Sequence, residues 1–254
     1  MPDKSKKKTY WDIVNDVIKE SDIVLQVLDG RLVEETRNKE IEDKIRRLRK
    51  PLIYVINKCD LIDKDEAERQ KKRLRPSVFV SATKKLGTTM LLHEILRQAK
   101  DVGARTDKIL VGVLGYPNTG KSSVINSLAG RSSAKSSPIS GFTKAMQLIK
   151  LTKNIYLMDT PGVLPYKEAN KVKHVLISAT DQTKLSDPES AAMELIKFAK
   201  GKIEEVYGVE QGRPEAVLKR IAIKYNRVKK GGVPDTEVMA RKIIQEWQKG
   251  RIRI

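Results

Sequence analysis

Cysteine occurs once in these 254 residues, histidine twice and phenylalanine three times, and aromatic residues make up 5% of the chain. A lone Cys59 excludes an intramolecular disulfide. His93 and His174 have no Cys or carboxylate at ligand spacing, so nothing predicts a zinc-type centre. No uninterrupted apolar stretch nears the roughly 20 residues of a membrane helix, and the start, MPDKSKKK, lacks the apolar segment of a signal peptide. These absences predict a cytoplasmic protein without stable membrane association. Negative charge is also short: 51 Lys and Arg face 32 Asp and Glu, a formal net charge of +19. Such an excess points toward a polyanion, nucleic acid or an anionic membrane surface, and says nothing of fold. The length allows one good core and a small second domain, with no core borrowed from another copy, so a monomer is expected.

What is present is alternation. DIVLQVLDG, PLIYVI, SVFVSA and KILVGVLG are apolar almost throughout, as strands buried on both faces of a parallel sheet are. Between them lie helical patterns. TYWDIVNDVIKESD carries Trp11, Val14, Val17 and Ile18 at helical spacing; ETRNKEIEDKIRRLRK and KDEAERQKKRL are charged; TTMLLHEILRQAK turns Leu91, Leu92, Ile95 and Leu96 inward. KAMQLIKL and NIYLMDT flank a turn and predict a hairpin, giving six strands, while RSSAKSSPISGFT has loop composition. Beyond Leu164 the strand signal stops. Asp187-Pro188 supplies an N-cap and a proline at the first helical position, and three helical segments follow. The expected organisation is an α/β domain over 1–180 and a small all-α domain over 181–254.

Gly115-Tyr116-Pro117-Asn118-Thr119-Gly120-Lys121-Ser122 fits the phosphate-loop pattern and lies between a predicted strand and a predicted helix. Its glycines let backbone N–H groups curl around phosphate oxygens, with Asn118, Thr119, Gly120 and Ser123 contributing. Lys121 brings positive charge, and Ser122 a hydroxyl for Mg2+. Asp159-Thr160-Pro161-Gly162 closes the last strand with a carboxylate able to hold that metal through water, and Gly162 can offer its N–H to a γ-phosphate. Thr143 is placed to complete the Mg2+ coordination, with Ser140 and Ser137 as chemical alternatives.

Asn57-Lys58-Cys59-Asp60 ends the strand PLIYVI. Asp60 can accept two hydrogen bonds from N1–H and the 2-amino group of guanine, a pair adenine cannot offer, so the carboxylate would be left unpaired by the wrong base. Asn57 braces the loop, the Lys58 stem can lie along the base, and Ser81-Ala82 fits a companion loop whose N–H meets guanine O6. Each loop ends a predicted strand, where ligands bind in open α/β sheets. The guanine loop nevertheless precedes the phosphate loop, the reverse of the common order. A circular permutation accounts for this, with AKDVGARTD as the bridge between the usual termini.

The motif order resembles the circularly permuted GTPases of the YlqF/YawG group, which act in assembly of the large ribosomal subunit. The likeness spans nearly the whole chain: SDIVLQVLDGR, with Gly30 where the family has Ala, then NKCD, GYPNTGKSS, GFTK, DTPG and a tail KKGGVPDTEVMARKIIQEWQKGRI. A Phe-Pro-Gly-His-Met-like segment of the bacterial branch is missing here, so no catalytic His is carried over. The resemblance implies a P-loop GTPase fold with a permuted, mostly parallel sheet, GTP hydrolysis, and ribosomal RNA and the large-subunit precursor as partners. Lys229, Lys230, Arg241 and Lys242 are the expected RNA contacts, their alternative being a solvated turn. Catalysis is assigned to Lys121, Thr143, Asp159 and Gly162. Val163 and Leu164 follow Gly162 where many GTPases place a water-orienting Gln, so slow basal turnover is expected. Asn118 either coordinates K+ or caps the loop. The stretch from Val163 into the helical domain could transmit loss of the γ-phosphate. Rival readings are a GTP-gated RNA-binding chaperone whose hydrolysis is a reset, and a GTPase serving tRNA or a membrane.

Overall fold

The computed structural model describes residues 9–102, 108–130, 147–159 and 186–252. The chain divides into two compact units, Met1–Lys167 and Glu168–Ile254. That division and the expected boundary at 180 both fall outside the described residues.

In the first unit the apolar runs become a six-stranded sheet: β1 (Ile23–Asp29), β2 (Leu52–Asn57), β3 (Ser77–Val80), β4 (Ile109–Leu114), β5 (Gln147–Lys150) and β6 (Ile155–Asp159). Their spatial order is β3-β2-β1-β4-β6-β5, parallel except for the β5–β6 hairpin. All seven residues of β1 are buried, as a central strand covered on both faces requires. Its period of two divides the core. Ile23, Leu25 and Val27 join a large cluster with Val55, Val111 and Val113, whereas Val24 packs on the opposite face.

Helices α1 (Tyr10–Glu20), α2 (Val33–Thr36), α3 (Lys39–Arg47), α4 (Lys64–Arg73), α5 (Thr88–Val102) and α6 (Lys121–Ala129) cover the sheet. Leu91 and Ile95 of α5 and Val124 and Leu128 of α6 fill one face; Leu92 and Leu96 are only partly buried against it. Val14, Val17 and Ile18 of α1 and Ile41 and Ile45 of α3 fill the other, with Trp11 partly buried beside them and the Lys44 ammonium 4.1 Å from its ring centroid. Helix α1 comes so close to the sheet that a Cβ added at Gly112 of β4 would lie 2.7 Å from Val17 and 3.0 Å from Ser21.

The single helix expected over 35–50 is instead two, α2 and α3. Asn38 is extended between them and accepts from Ile41 N at 3.1 Å, capping α3. Arg37 leaves the helical path to form a two-pronged pair with buried Glu42, at 2.7 and 2.8 Å. Gly130 caps α6 from a right-handed conformation, not the left-handed one typical of glycine caps.

The second unit contains α7 (Pro188–Phe198), α8 (Lys202–Tyr207), α9 (Pro214–Lys224) and α10 (Thr236–Gln248). Asp187 and Asp235 cap α7 and α10 by accepting from Ser190 N and Val238 N. Leu195, Ile203, Leu218, Ile243 and Trp247 are buried. Helix α8, set between Gly201 and Gly208, was not anticipated.

Truncating Leu25 to Ala in the middle of β1 should lower unfolding free energy by about 2–5 kcal/mol in urea titrations followed by circular dichroism. A loss below about 0.5 kcal/mol would contradict a sheet packed on both faces.

Candidate functional site

From β1 the chain lays down β2 and β3 to one side, then returns to lay β4 on the other. The strand order reverses at β1/β4, and at the carboxyl ends flanking such a reversal α/β sheets hold ligands. Asp29 ends β1, Asn57 ends β2, Val80 precedes Ser81 at the end of β3, and Gly115 follows β4.

The loop from Gly115 to Gly120 is shaped by residues in unusual conformations: φ is +152° at Gly115, +64° at Asn118 and +89° at Gly120. A side chain at Gly115 would strike the Val27 carbonyl, and one at Gly120 would strike the Asn57 amide. Within the loop, Thr119 Oγ1 donates to Tyr116 O at 2.8 Å. The loop opens directly into α6, whose first-turn N–H groups have no intrahelical acceptors and favour an anion. Lys121 is buried, and its Nζ donates to the carbonyls of Gly115 and Tyr116 at 2.8 and 2.9 Å. Ser122 and Ser123 are exposed on the first turn.

Asn57 ties three loops together. Its Nδ2 donates to Thr119 O in the phosphate loop at 2.8 Å, while its Oδ1 accepts from Ala82 N at 3.2 Å. Of the Ser81-Ala82 loop expected to offer an N–H to a guanine carbonyl, the Ala82 N–H is directed at Asn57. Lys58 is left-handed, with φ +59°, and its Nζ meets Asp29 Oδ2 at 2.7 Å. Burial weighs most on Lys58 and lowers its pKa, opposed by Asp29.

Asp60 lies 3.2 Å from Lys84 Nζ. Burial pushes its carboxyl upward, but hydrogen bonds from Ser81 and Lys84 outweigh that and hold it below the usual carboxylate range. The acid thus stays ionised and ready to accept. Ser81 is fully buried and closes a bridge with Leu86. Burial pushes the Cys59 thiol up, which suits an unreactive side chain.

Thr143, Gly162 and the side chain of Asp159 lie outside the described residues, as do Ser137, Ser140, Val163, Leu164 and His174. The backbone at Asp159 follows Met158, the register partner of Gly112 in β4. Among the described residues no group of three or more His, Cys, Asp or Glu could hold a metal. Of the expected magnesium donors the described residues include the Ser122 hydroxyl, an oxygen of the kind that ion takes.

The expected RNA residues belong to the second unit. Val228 bridges Pro234, Lys229 N donates to Val233 O at 2.8 Å, and Gly231 and Gly232, at φ +90° and +77°, make an exposed tip. Lys229 and Lys230 are exposed there, Lys229 standing 3.8 Å from Asp235. Arg241 pairs with Glu237 at 3.0 Å, and the Lys242 ammonium lies 5.1 Å from the Tyr225 ring centroid. No described helix is long and apolar enough to cross a membrane.

Sequence reasoning passed over Asn38, whose Nδ2 donates to the Tyr116 hydroxyl at 3.3 Å and so reaches the phosphate loop from α3. It also passed over Asp29 as a partner of Lys58, although Asp-Gly-Arg closing a buried strand was a visible signal.

A family model described as 50S ribosome-binding GTPase matches residues 110–208, starting in the strand that carries the phosphate loop. GTP-binding protein MJ1464 of Methanocaldococcus jannaschii is 41% identical over 253 residues, covering 97% of this chain and 67% of that protein. Nucleolar GTP-binding protein 2 of Saccharomyces cerevisiae is 34% identical over 260 residues, covering 98% of this chain and 53% of its relative. The chain thus spans about two thirds of the archaeal protein and about half of the yeast one. In fold it is similar to YlqF from T. maritima with GNP bound, at a TM-score of 0.66 and 22% identity, covering 96% of this chain and 95% of that one. Motif order, sheet and relatives agree, and the chain belongs to the family of circularly permuted, YlqF-like GTPases.

Proposed function

We propose that the protein binds GTP and GDP in the crevice at the ends of β1, β2, β3 and β4, hydrolyses GTP slowly, and serves as a switch in assembly of the large ribosomal subunit. The observation that carries this reading is the Asn57 bridge, which draws the guanine loop, the Ser81-Ala82 loop and the phosphate loop to one place. The ionised Asp60 carboxylate would then read N1–H and the 2-amino group of guanine, and the Lys58 stem would cover the base.

The phosphates would lie against the N–H groups of Asn118 to Ser123, with Lys121 exchanging loop carbonyls for phosphate oxygens. Mg2+, when bound, would neutralise charge on the β- and γ-phosphates, held by Ser122 with Thr143 and Asp159. Gly162 would donate its N–H to the γ-phosphate. Val163 and Leu164 cannot orient a water, so turnover would wait on a partner.

The ribosomal assignment is supported by the description of the matching family model and by the nucleolar name of the yeast relative. The excess of cations and the Lys229-Lys230 tip with Arg241 and Lys242 suit ribosomal RNA. The compartment follows subunit assembly: the nucleolus in a cell with a nucleus, the cytoplasm elsewhere. A monomer suffices for this role.

Calorimetry should give GDP binding at least about 100-fold tighter than ADP, and Asp60→Ala should abolish that preference. Equal affinities in the unmodified protein would overturn the nucleotide reading. Without a partner, turnover should lie well below the ordinary enzyme median of about 10 s⁻¹. If Asn118 coordinates K+, turnover in KCl should exceed that in NaCl at matched ionic strength; equal rates would assign Asn118 to shaping the loop alone.

A further inference from the structure

At the end of β1 three charged side chains meet away from bulk water. Arg31 grips Asp29 with its Nε at 3.0 Å and a terminal nitrogen at 2.8 Å, and the Arg31 backbone N–H adds a third bond at 3.1 Å. Lys58 Nζ completes the group at 2.7 Å. The side chains of Arg31 and Asp29 are only 3% and 6% exposed, and that of Lys58 22%. One carboxylate therefore serves two cations, and the pairs hold it well ionised against the burial that would raise its pKa.

We infer that Asp29 is a positioning residue for the guanine site, acting through Lys58. The inference rests on the nucleotide reading above. The left-handed backbone sets only where the Lys58 side chain leaves the chain; the 2.7 Å bond to Asp29 holds its far end, and with it the course of the stem between. Removing the carboxylate would leave two cations facing each other in a poorly solvated pocket, and the lysine, with its more open environment, is the one that would swing away. The guanine-reading carboxylate sits two residues on from Lys58 and has hydrogen-bond partners of its own in Ser81 and Lys84. Asp29 should hence govern how tightly any purine of this shape is held. Discrimination by the 2-amino group should remain with Asp60.

The test uses the full chain with GDP, inosine diphosphate and ADP, and the variants Asp29→Asn, Lys58→Met and the double substitution. Asp29→Asn should weaken GDP and inosine diphosphate by a similar factor, about tenfold or more, leaving their ratio as in the parent. The double variant should bind GDP no worse than Lys58→Met alone, within about twofold, because the two positions act as one unit. A purely structural role would instead give the double variant a loss equal to the sum of the two single losses; that result overturns the inference, as does GDP affinity within twofold of the parent. Should Asp29→Asn fail to fold, Asp29→Glu gives the reading, since it keeps the charge but displaces it by a methylene. A loss shared by GDP and inosine diphosphate supports the inference, and unchanged affinity for both defeats it. If the parent itself shows no preference for GDP over ADP, it is the nucleotide reading that fails, before any variant is compared.

Discussion

One side-chain amide organises the crevice. A primary amide offers a donor and an acceptor on the two arms of a rigid plane, so Asn57 fixes the distance between the loops it touches as well as joining them. Both bonds are buried or nearly so, where an unmet partner would cost about 1–3 kcal/mol. Gly120 lets this happen. Its left-handed backbone leaves space for the amide where any other residue would put a side chain. The order in which the polypeptide delivers the loops is irrelevant to this bond, which links residues 62 positions apart.

That indifference to order explains how a rearranged chain keeps one crevice. The sheet holds its strands by backbone register, with Leu28 beside Ile56 and Gln26 beside Leu114, and register depends on neighbours in space. The residues before the bridge supply the loops that follow β1, β2 and β3. Those after it supply the loop between β4 and α6. β1 lies between them and contributes the ionic group at its own end.

Much of this was legible. Strands buried on both faces announce themselves as apolar runs, and all six appear where KAMQLIKL, NIYLMDT and the four earlier runs predict them. In the second unit α7 was legible through Asp187-Pro188, whose cap is local in sequence, and α9 and α10 through their helical period. What escaped was long-range or short. The break between α2 and α3 follows from Asn38 capping one helix while reaching Tyr116, a partner 78 residues away that no window could reveal. Asp29 read only as the end of its strand, and its pairing with Lys58 needed two parallel strands to bring their ends level. Helix α8 is six residues long, too brief for a periodic signal.

Gly112 carries a consequence for how such a chain can change. The missing methyl lets the first helix rest directly on the strand that leads into the phosphate loop, so the amino-terminal segment and the loop's foundation share a single seam. Alanine at that position would wedge the seam open, and only a matching retreat at Val17 or Ser21 could close it again. A designer who changes any of positions 17, 21 and 112 has therefore to choose the other two with it.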